Sequence, residues 1–296
     1  MPSLKEVRIR IASVQSTQQI TSAMKMVAAS KLRKGQNAIL QLRPYAMKLY
    51  EILQNLTASL EDSGESVFSS GREVRKVLIV VMTSNRGLCG AFNSNVIKAT
   101  LQHIQTNYPS HLGSNTLSLV TIGRKATDYF RKNSYQVAES YDGIYDSLTF
   151  ESVSLIAQNL MERFTSGEYD RIDVIYNQFK SAGMQRLIVE QFLPVLPRMD
   201  DKTQKVQTDF LFEPDKEQII HDLIPRSLKI QFFKDLLDSY ASEMGARMTA
   251  MHQATDNASE LLKDLKLSYN KARQAAITKE LLEIVTGAEA LKGQDF

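Results

Sequence analysis

The sequence predicts an α/β protein. Its two ends form long helices that wind about each other, and its middle forms a sheet covered by helices. Three observations predict this. First, apolar or small residues recur on a seven-residue beat from the N-terminus: Leu4, Val7, Ile11, Val14, then Ala28, Leu32, Ile39, Leu42, Ala46, Leu49, Leu53, Leu56 and Leu60. Second, the last third keeps the same beat: Leu223, Ile230, Phe233, Leu237, Tyr240, Met244, Met251, Ala254, Ala258, Leu261, Leu265, Ala272, Ala275 and Leu282. A stripe with a period of 3.5 requires a helical partner. Third, the stretch between them alternates short apolar runs with amphipathic ones.

The first helix is expected over residues 3 to about 60, with Ser3 as N-cap and Glu6 as its capping-box partner. Its seam is imperfect. Gln18, Thr21, Lys25 and Gly35 fall at core-type positions, so the middle is expected to pack loosely or to face something other than the second helix. Pro44 removes a backbone donor and is expected to bend the helix. Glu61 to Glu73 is polar and rich in Gly and Ser, a linker. The apolar run Lys76–Met82 predicts a buried strand, and Thr83–Gly90 a Gly-rich turn. A helix is expected at about Phe92–Asn107, a strand at Leu117–Ile122, and a helix at Arg124–Lys132. A short strand near Gln136–Ala138, a helix over Phe150–Phe164 and a strand over Arg171–Tyr176 follow. Met184–Phe192 alternates enough to be an antiparallel edge strand. Such alternation implies a mostly parallel sheet with helices on its faces. Pro214–Leu291 reads helical nearly throughout, interrupted by Pro225 and softened by Gly245. This gives a three-part division: 1–60, 75–200 and 210–296.

Composition narrows the function. The 296 residues are 43% hydrophobic and 23% charged, which is ordinary for a globular chain. The net charge of +3 hides an uneven distribution. From Val7 to Tyr50 there is no Asp or Glu, yet the span holds Arg8, Arg10, Lys25, Lys31, Arg33, Lys34, Arg43 and Lys48. A basic helix without acids is attracted to nucleic acid, a lipid surface or an acidic protein face. A single cysteine, Cys89, excludes an internal disulfide framework. No apolar run approaches the ~20 residues of a membrane-spanning helix, and residues such as Lys5, Glu6 and Arg8 interrupt any apolar signal core.

The turn Ser84–Gly90 invites a phosphate reading, because a Gly-rich loop between strand and helix cradles anions. It matches neither common nucleotide motif, and the bland alternative is a tight turn for close strand–helix packing. Cys89 lies near a helix N-terminus, which lowers thiol pKa, but no histidine is recognisably paired with it. No metal-ligand spacing is present, and no nucleophile, base and orienting group occur together. The basic helix has few aromatics, only Tyr45 and Tyr50 near its far end, so stacking platforms for nucleic acid are missing.

Three segments carry a family resemblance: IASVQSTQQITSAMKMVAASKLRK (Ile11–Lys34), TSNRGLCGAFN (Thr83–Asn93) and ITKELLEIVTGAEA (Ile277–Ala290). Arg247-Met248, Ala254–Ala258 and Tyr269–Gln274 precede the last. Together they closely resemble the gamma subunit of the F-type ATP synthase, over the whole chain and in order. The resemblance implies an antiparallel coiled coil from the terminal helices and a Rossmann-like central domain. It implies a rotor shaft set in a ring of three alpha and three beta subunits, with the epsilon subunit and the membrane c-ring at its foot. It implies no catalysis by this subunit, no cofactor, no nucleotide site in the Gly-rich turn and no nucleic-acid partner.

By the same resemblance, Met24, Lys25, Lys31 and Arg33 on the first helix, and Arg247, Gln274, Thr278 and Glu280 on the second, are expected to contact the ring. Phe210, Phe212 and Glu213 are expected at the foot near the c-ring and epsilon. The basic span, Lys34 included, would face an acidic lever of the beta subunits. Plastid members of the family carry an inserted loop with two cysteines, which this chain lacks. The chain begins at the family motif without an Arg-rich presequence, so the expected location is the cytoplasmic face of a bacterial inner membrane.

Overall fold

The structure, a computed structural model, describes residues 4–58, 68, 72–111, 116–195 and 216–292. The proposed N-cap Ser3, nearly all of the linker Glu61–Glu73, and Phe210, Phe212 and Glu213 lie outside the described residues. The elements in order are α1 (Leu4–Ala58), β1 (Val77–Met82), α2 (Phe92–Asn107), β2 (Leu117–Ile122), α3 (Arg124–Lys132), β3 (Val137–Ser140), α4 (Phe150–Thr165), β4 (Arg171–Ser181), β5 (Met184–Leu193) and α5 (Lys216–Lys292). Both long helices run on through their internal prolines, Pro44 and Pro225.

Contacts divide the chain into two compact units. One joins Met1–Val27 with Met248–Phe296, and the other is Ala28–Arg247.

In the first unit, the two helix segments pair antiparallel. Gln18 meets Ser259, Thr21 meets Thr255 and Lys25 meets His252, so rising numbers on α1 meet falling numbers on α5. Along α5, Met251, Thr255, Ala258, Leu262, Leu265, Tyr269, Ala272 and Ala276 are buried or half-buried in an unbroken 4-3 alternation, with Ala254 and Ser259 half-buried beside it. This corrects the phase expected from sequence. Leu262 is 8% exposed, whereas Leu261 is 38% exposed and lies off the seam. Ala275 and Leu282 are exposed as well.

In the second unit, five strands form one sheet in the order β3-β2-β1-β4-β5. β1 pairs parallel with β2 and β4, β2 pairs parallel with β3, and β5 pairs antiparallel with β4 at the edge. β1 is central and apolar throughout, and all six residues are buried, as a strand covered on both faces must be. Alternate side chains serve opposite layers. Val77, Ile79 and Val81 meet Val96 and Ile104 of α2 and Ala126 and Phe130 of α3. Leu78, Val80 and Met82 meet Val153, Leu160 and Phe164 of α4 and Leu228, Phe232 and Leu236 of α5.

One glycine is fixed by geometry. Gly123, between β2 and α3, has φ +98° and would place a Cβ 2.1 Å from the Thr83 carbonyl oxygen. No other residue fits so close a backbone approach.

Within this unit α5 is covered on nearly every side. Asp235 to Ser239 and Ala241 to Gly245 are all buried. A helix in that position ordinarily carries apolar residues all round. This one carries Asp235, Asp238, Ser239, Ser242 and Glu243.

Candidate functional site

In the first unit the seam is polar where an apolar coil would be oily. Gln18 Nε2 donates to Ser259 Oγ at 2.7 Å. The Thr21 and Thr255 hydroxyls lie 2.9 Å apart, and Thr21 also donates to the Gln18 carbonyl. Lys25 Nζ lies 3.4 Å from His252 Nδ1, which lies 3.2 Å from an Asp256 oxygen. The expectation that these residues pack loosely or face away from the second helix is therefore corrected. They face it, and hydrogen bonds replace apolar contact, which fixes register at some cost in stability.

The outer surface of this unit is rich in apolar residues without cover. Ile9, Ile20, Met26 and Val27 are more than half exposed on α1, as are Leu267, Leu281, Leu282, Ile284 and Val285 on α5. Exposed apolar surface of this extent marks a contact face. Met24 and Lys25 are half-buried on α1. Gln274, Thr278 and Glu280 are exposed, and Thr278 Oγ1 is tied to the Gln274 carbonyl at 2.9 Å.

In the second unit, Lys31 and Arg33 are exposed on α1. Arg247 is buried, 9% exposed, and its donors are taken within the chain. It pairs with Glu243 one helical turn back. It also donates to the backbone carbonyls of Arg86 at 2.9 Å and Gly87 at 3.4 Å.

That loop is held from below by its own residues. Ser84 Oγ donates to the Arg86 carbonyl at 2.7 Å, and Asn93 Oδ1 accepts from the Ser84 amide at 2.9 Å. Asn93 Nδ2 donates to Ser84 Oγ at 2.8 Å and to Cys89 Sγ at 3.2 Å. Asn85 accepts from the Arg124 amide and donates to the Asp142 carbonyl. Leu88 has φ +63° and is 64% exposed at the tip. Cys89 lies near the start of α2 but is not activated there. The thiol is 1% exposed, and burial pushes its pKa up despite the Ser84 bond.

A second cluster escaped sequence reasoning. Asp173 on β4 is 1% exposed and accepts from His103 Nε2 at 2.7 Å, from Tyr108 at 2.5 Å and from Arg171 at 3.0 Å. Asn107 Nδ2 lies 2.8 Å from His103 Nδ1, which fits an imidazole protonated on Nε2. Burial raises the Asp173 pKa, but these three donors outweigh it and hold the carboxyl below its usual range. The only sequence signal was the acid inside the apolar run Ile172–Tyr176.

Among the described residues, no group of three or more His, Cys, Asp or Glu is arranged to hold a metal ion. No described helix is long and apolar enough to cross a membrane.

An antiparallel helix pair with a polar, register-fixing seam and exposed apolar residues, and a five-stranded α/β domain, define an α/β protein with a contact face for a partner. A family profile described as ATP synthase matches residues 3–291. The ATP synthase gamma chain of Flavobacterium johnsoniae is 56% identical over 293 residues, covering 99% of this chain and 100% of that one. That of Chlorobaculum tepidum is 45% identical, again over 99% and 100%. The chain belongs to the ATP synthase gamma chain family. Its fold is also that of a chain in the Euglena gracilis mitochondrial ATP synthase, at a TM-score of 0.69 and 21% identity over 99% of this chain and 96% of that one. A chain in the central stalk and c-ring structure from Tetrahymena thermophila gives 0.58 and 24% identity over 79% and 99%.

Proposed function

We propose that this chain is the central rotor shaft of an F-type ATP synthase. It transmits torque between the membrane c-ring and a ring of three alpha and three beta subunits, and so couples proton flow to ATP synthesis or hydrolysis. The subunit does no chemistry itself. Its partners are alpha, beta, epsilon and the c-ring. It associates with the membrane only through the complex, on the cytoplasmic face of a bacterial inner membrane.

The observation that carries this reading is the full-length likeness to gamma chains, joined to paired helices whose outer faces are apolar and basic. Met24, Lys25, Lys31, Arg33, Gln274, Thr278 and Glu280 are proposed to touch the ring directly. Arg247 acts on it through the loop it holds. Phe210, Phe212 and Glu213 are proposed for the foot. The working division is a first shaft helix (1–60), a central domain (75–200) and a second shaft helix (210–296). Exposed charge pairs contribute only about 0–1 kcal/mol each, which suits a bearing that releases each partner in turn.

Mass spectrometry of the native complex tests the reading. A mass with one copy of this chain among three copies each of two larger nucleotide-binding subunits is expected. Micromolar ATP binding by the chain alone, without such partners, would overturn it.

A further inference from the structure

We propose that Ser242–Arg247 of α5 is a rigid joint that locks the long helix to the α/β domain, with Arg247 as its positioning residue. The inference rests on the shaft reading above and says where in the chain twist passes from sheet to helix. Three contacts grip this one segment, each from a different part of the domain. Ser242 Oγ donates to the Asn177 carbonyl of β4 at 2.9 Å, in a fully buried position. Gly245 sits against the β4–β5 turn so closely that a Cβ there would lie 3.0 Å from the Ala182 carbonyl oxygen and 3.2 Å from its Cα. Arg247 reaches the loop after β1 through the Arg86 and Gly87 carbonyls.

The chemistry of the third contact is that of a lock rather than of packing. A guanidinium is planar and forked, so one side chain fixes both distance and angle. Glu243 takes up one arm and neutralises the buried charge. The other arm meets backbone carbonyls, which do not change with rotamer state. The Arg86 carbonyl is held in turn by Ser84 Oγ, and Ser84 by Asn93 at the start of α2. A turning force on the domain therefore meets α5 through a short chain of hydrogen bonds to rigid elements. The Gly245 contact blocks sliding along the helix axis.

The test uses the whole ATP synthase reconstituted in vesicles with this chain as its gamma subunit. Proton pumping is measured against ATP hydrolysis in the same preparation. Arg247→Ala and Asn93→Ala are each expected to lower pumping per ATP hydrolysed by about threefold or more, and Arg247→Lys to recover part of the loss. A merely structural role would lower the yield of complex and leave that ratio alone. Wild-type ratios in assembled Arg247→Ala and Asn93→Ala complexes would overturn the joint and leave the shaft reading intact. If Arg247→Ala fails to assemble, Asn93→Ala decides by the same ratio, because it loosens the loop without touching α5. Failure of the unmodified chain to assemble or to support pumping would instead defeat the shaft reading.

Discussion

Thr21 and Thr255 set their hydroxyls 2.9 Å apart across the helix pair, at positions where a heptad ordinarily places apolar side chains. Beside them Gln18 and Ser259 repeat the arrangement. A polar layer of this kind costs stability and excludes shifted registers, because a slip leaves its members facing apolar neighbours unpaired. Replacing Thr21 and Thr255 together by Val is expected to leave the pair as stable or more so. The same change is expected to admit shifted pairings, read as mixed products when single cysteines placed along the seam are oxidised.

The phase of the α5 seam gives a sharper contrast. Leu262→Asp puts a charge at an 8% exposed position and is expected to cost about 2–5 kcal/mol. Leu261→Asp, at 38% exposure, is expected to change the melting temperature little. Thermal melts followed by circular dichroism compare them directly, and equal losses would refute the assigned phase.

Gly123 and Thr83 form the tightest backbone approach described, with φ +98° at the glycine. Gly123→Ala is expected to lose at least about 2 kcal/mol in urea unfolding, from strain and collision together. Gly143 has open space around it, and Gly143→Ala serves as the neutral control.

Two buried acids respond to pH in opposite senses. Asp173 has a lowered pKa in the fold, so its stabilisation is present above the ordinary carboxylate range, about 3.9, and is lost as pH falls through the lowered value. Asp173→Asn is expected to cost about 3 kcal/mol at pH 7, by stranding His103 and Arg171. The deficit should shrink toward pH 3 in denaturant titrations.

Asp235 behaves the other way. Burial first, and then the Glu190 charge, push its pKa well above the usual range, although Lys234 Nζ lies 3.6 Å away. Tyr176 is its other polar neighbour. The fold then binds a proton that the unfolded chain releases, so stability declines as pH rises from about 4 toward the raised value. Asp235→Asn is expected to be neutral or stabilising at pH 8, and to flatten that decline.

Much of this was legible in the sequence. The α1 stripe stood out because Leu, Val, Ile and Ala mark a period that Gln18, Thr21, Lys25 and Gly35 continue without a break. What sequence withheld was the polar partner of Gln18, Thr21 and Lys25, since hydrogen bonding across a seam leaves no periodic signature. On α5 the positions seven apart, Met251, Ala258, Leu265 and Ala272, were read correctly. The alternate positions were misread by one, because Ala254 is more apolar than the half-buried Thr255 after it, and Leu261 and Leu262 are the same residue type. The strands were plain from their apolar runs. The Arg247 lock was not, because a basic residue on a long helix reads as solvated and its acceptors are backbone atoms with no identity in the sequence. The His103–Asp173 pair was hidden for a related reason, with 70 residues between its members.

Cys89 is the chain's sole thiol, and it lies sealed beneath the loop that Asn93 and Arg247 grip from either side. An alkylating reagent reaches it only when that loop lifts, so the labelling rate is set by how often the lid opens. The protein thus carries a built-in stopwatch for the opening of that loop, readable in the assembled machine without any engineered reporter in this chain.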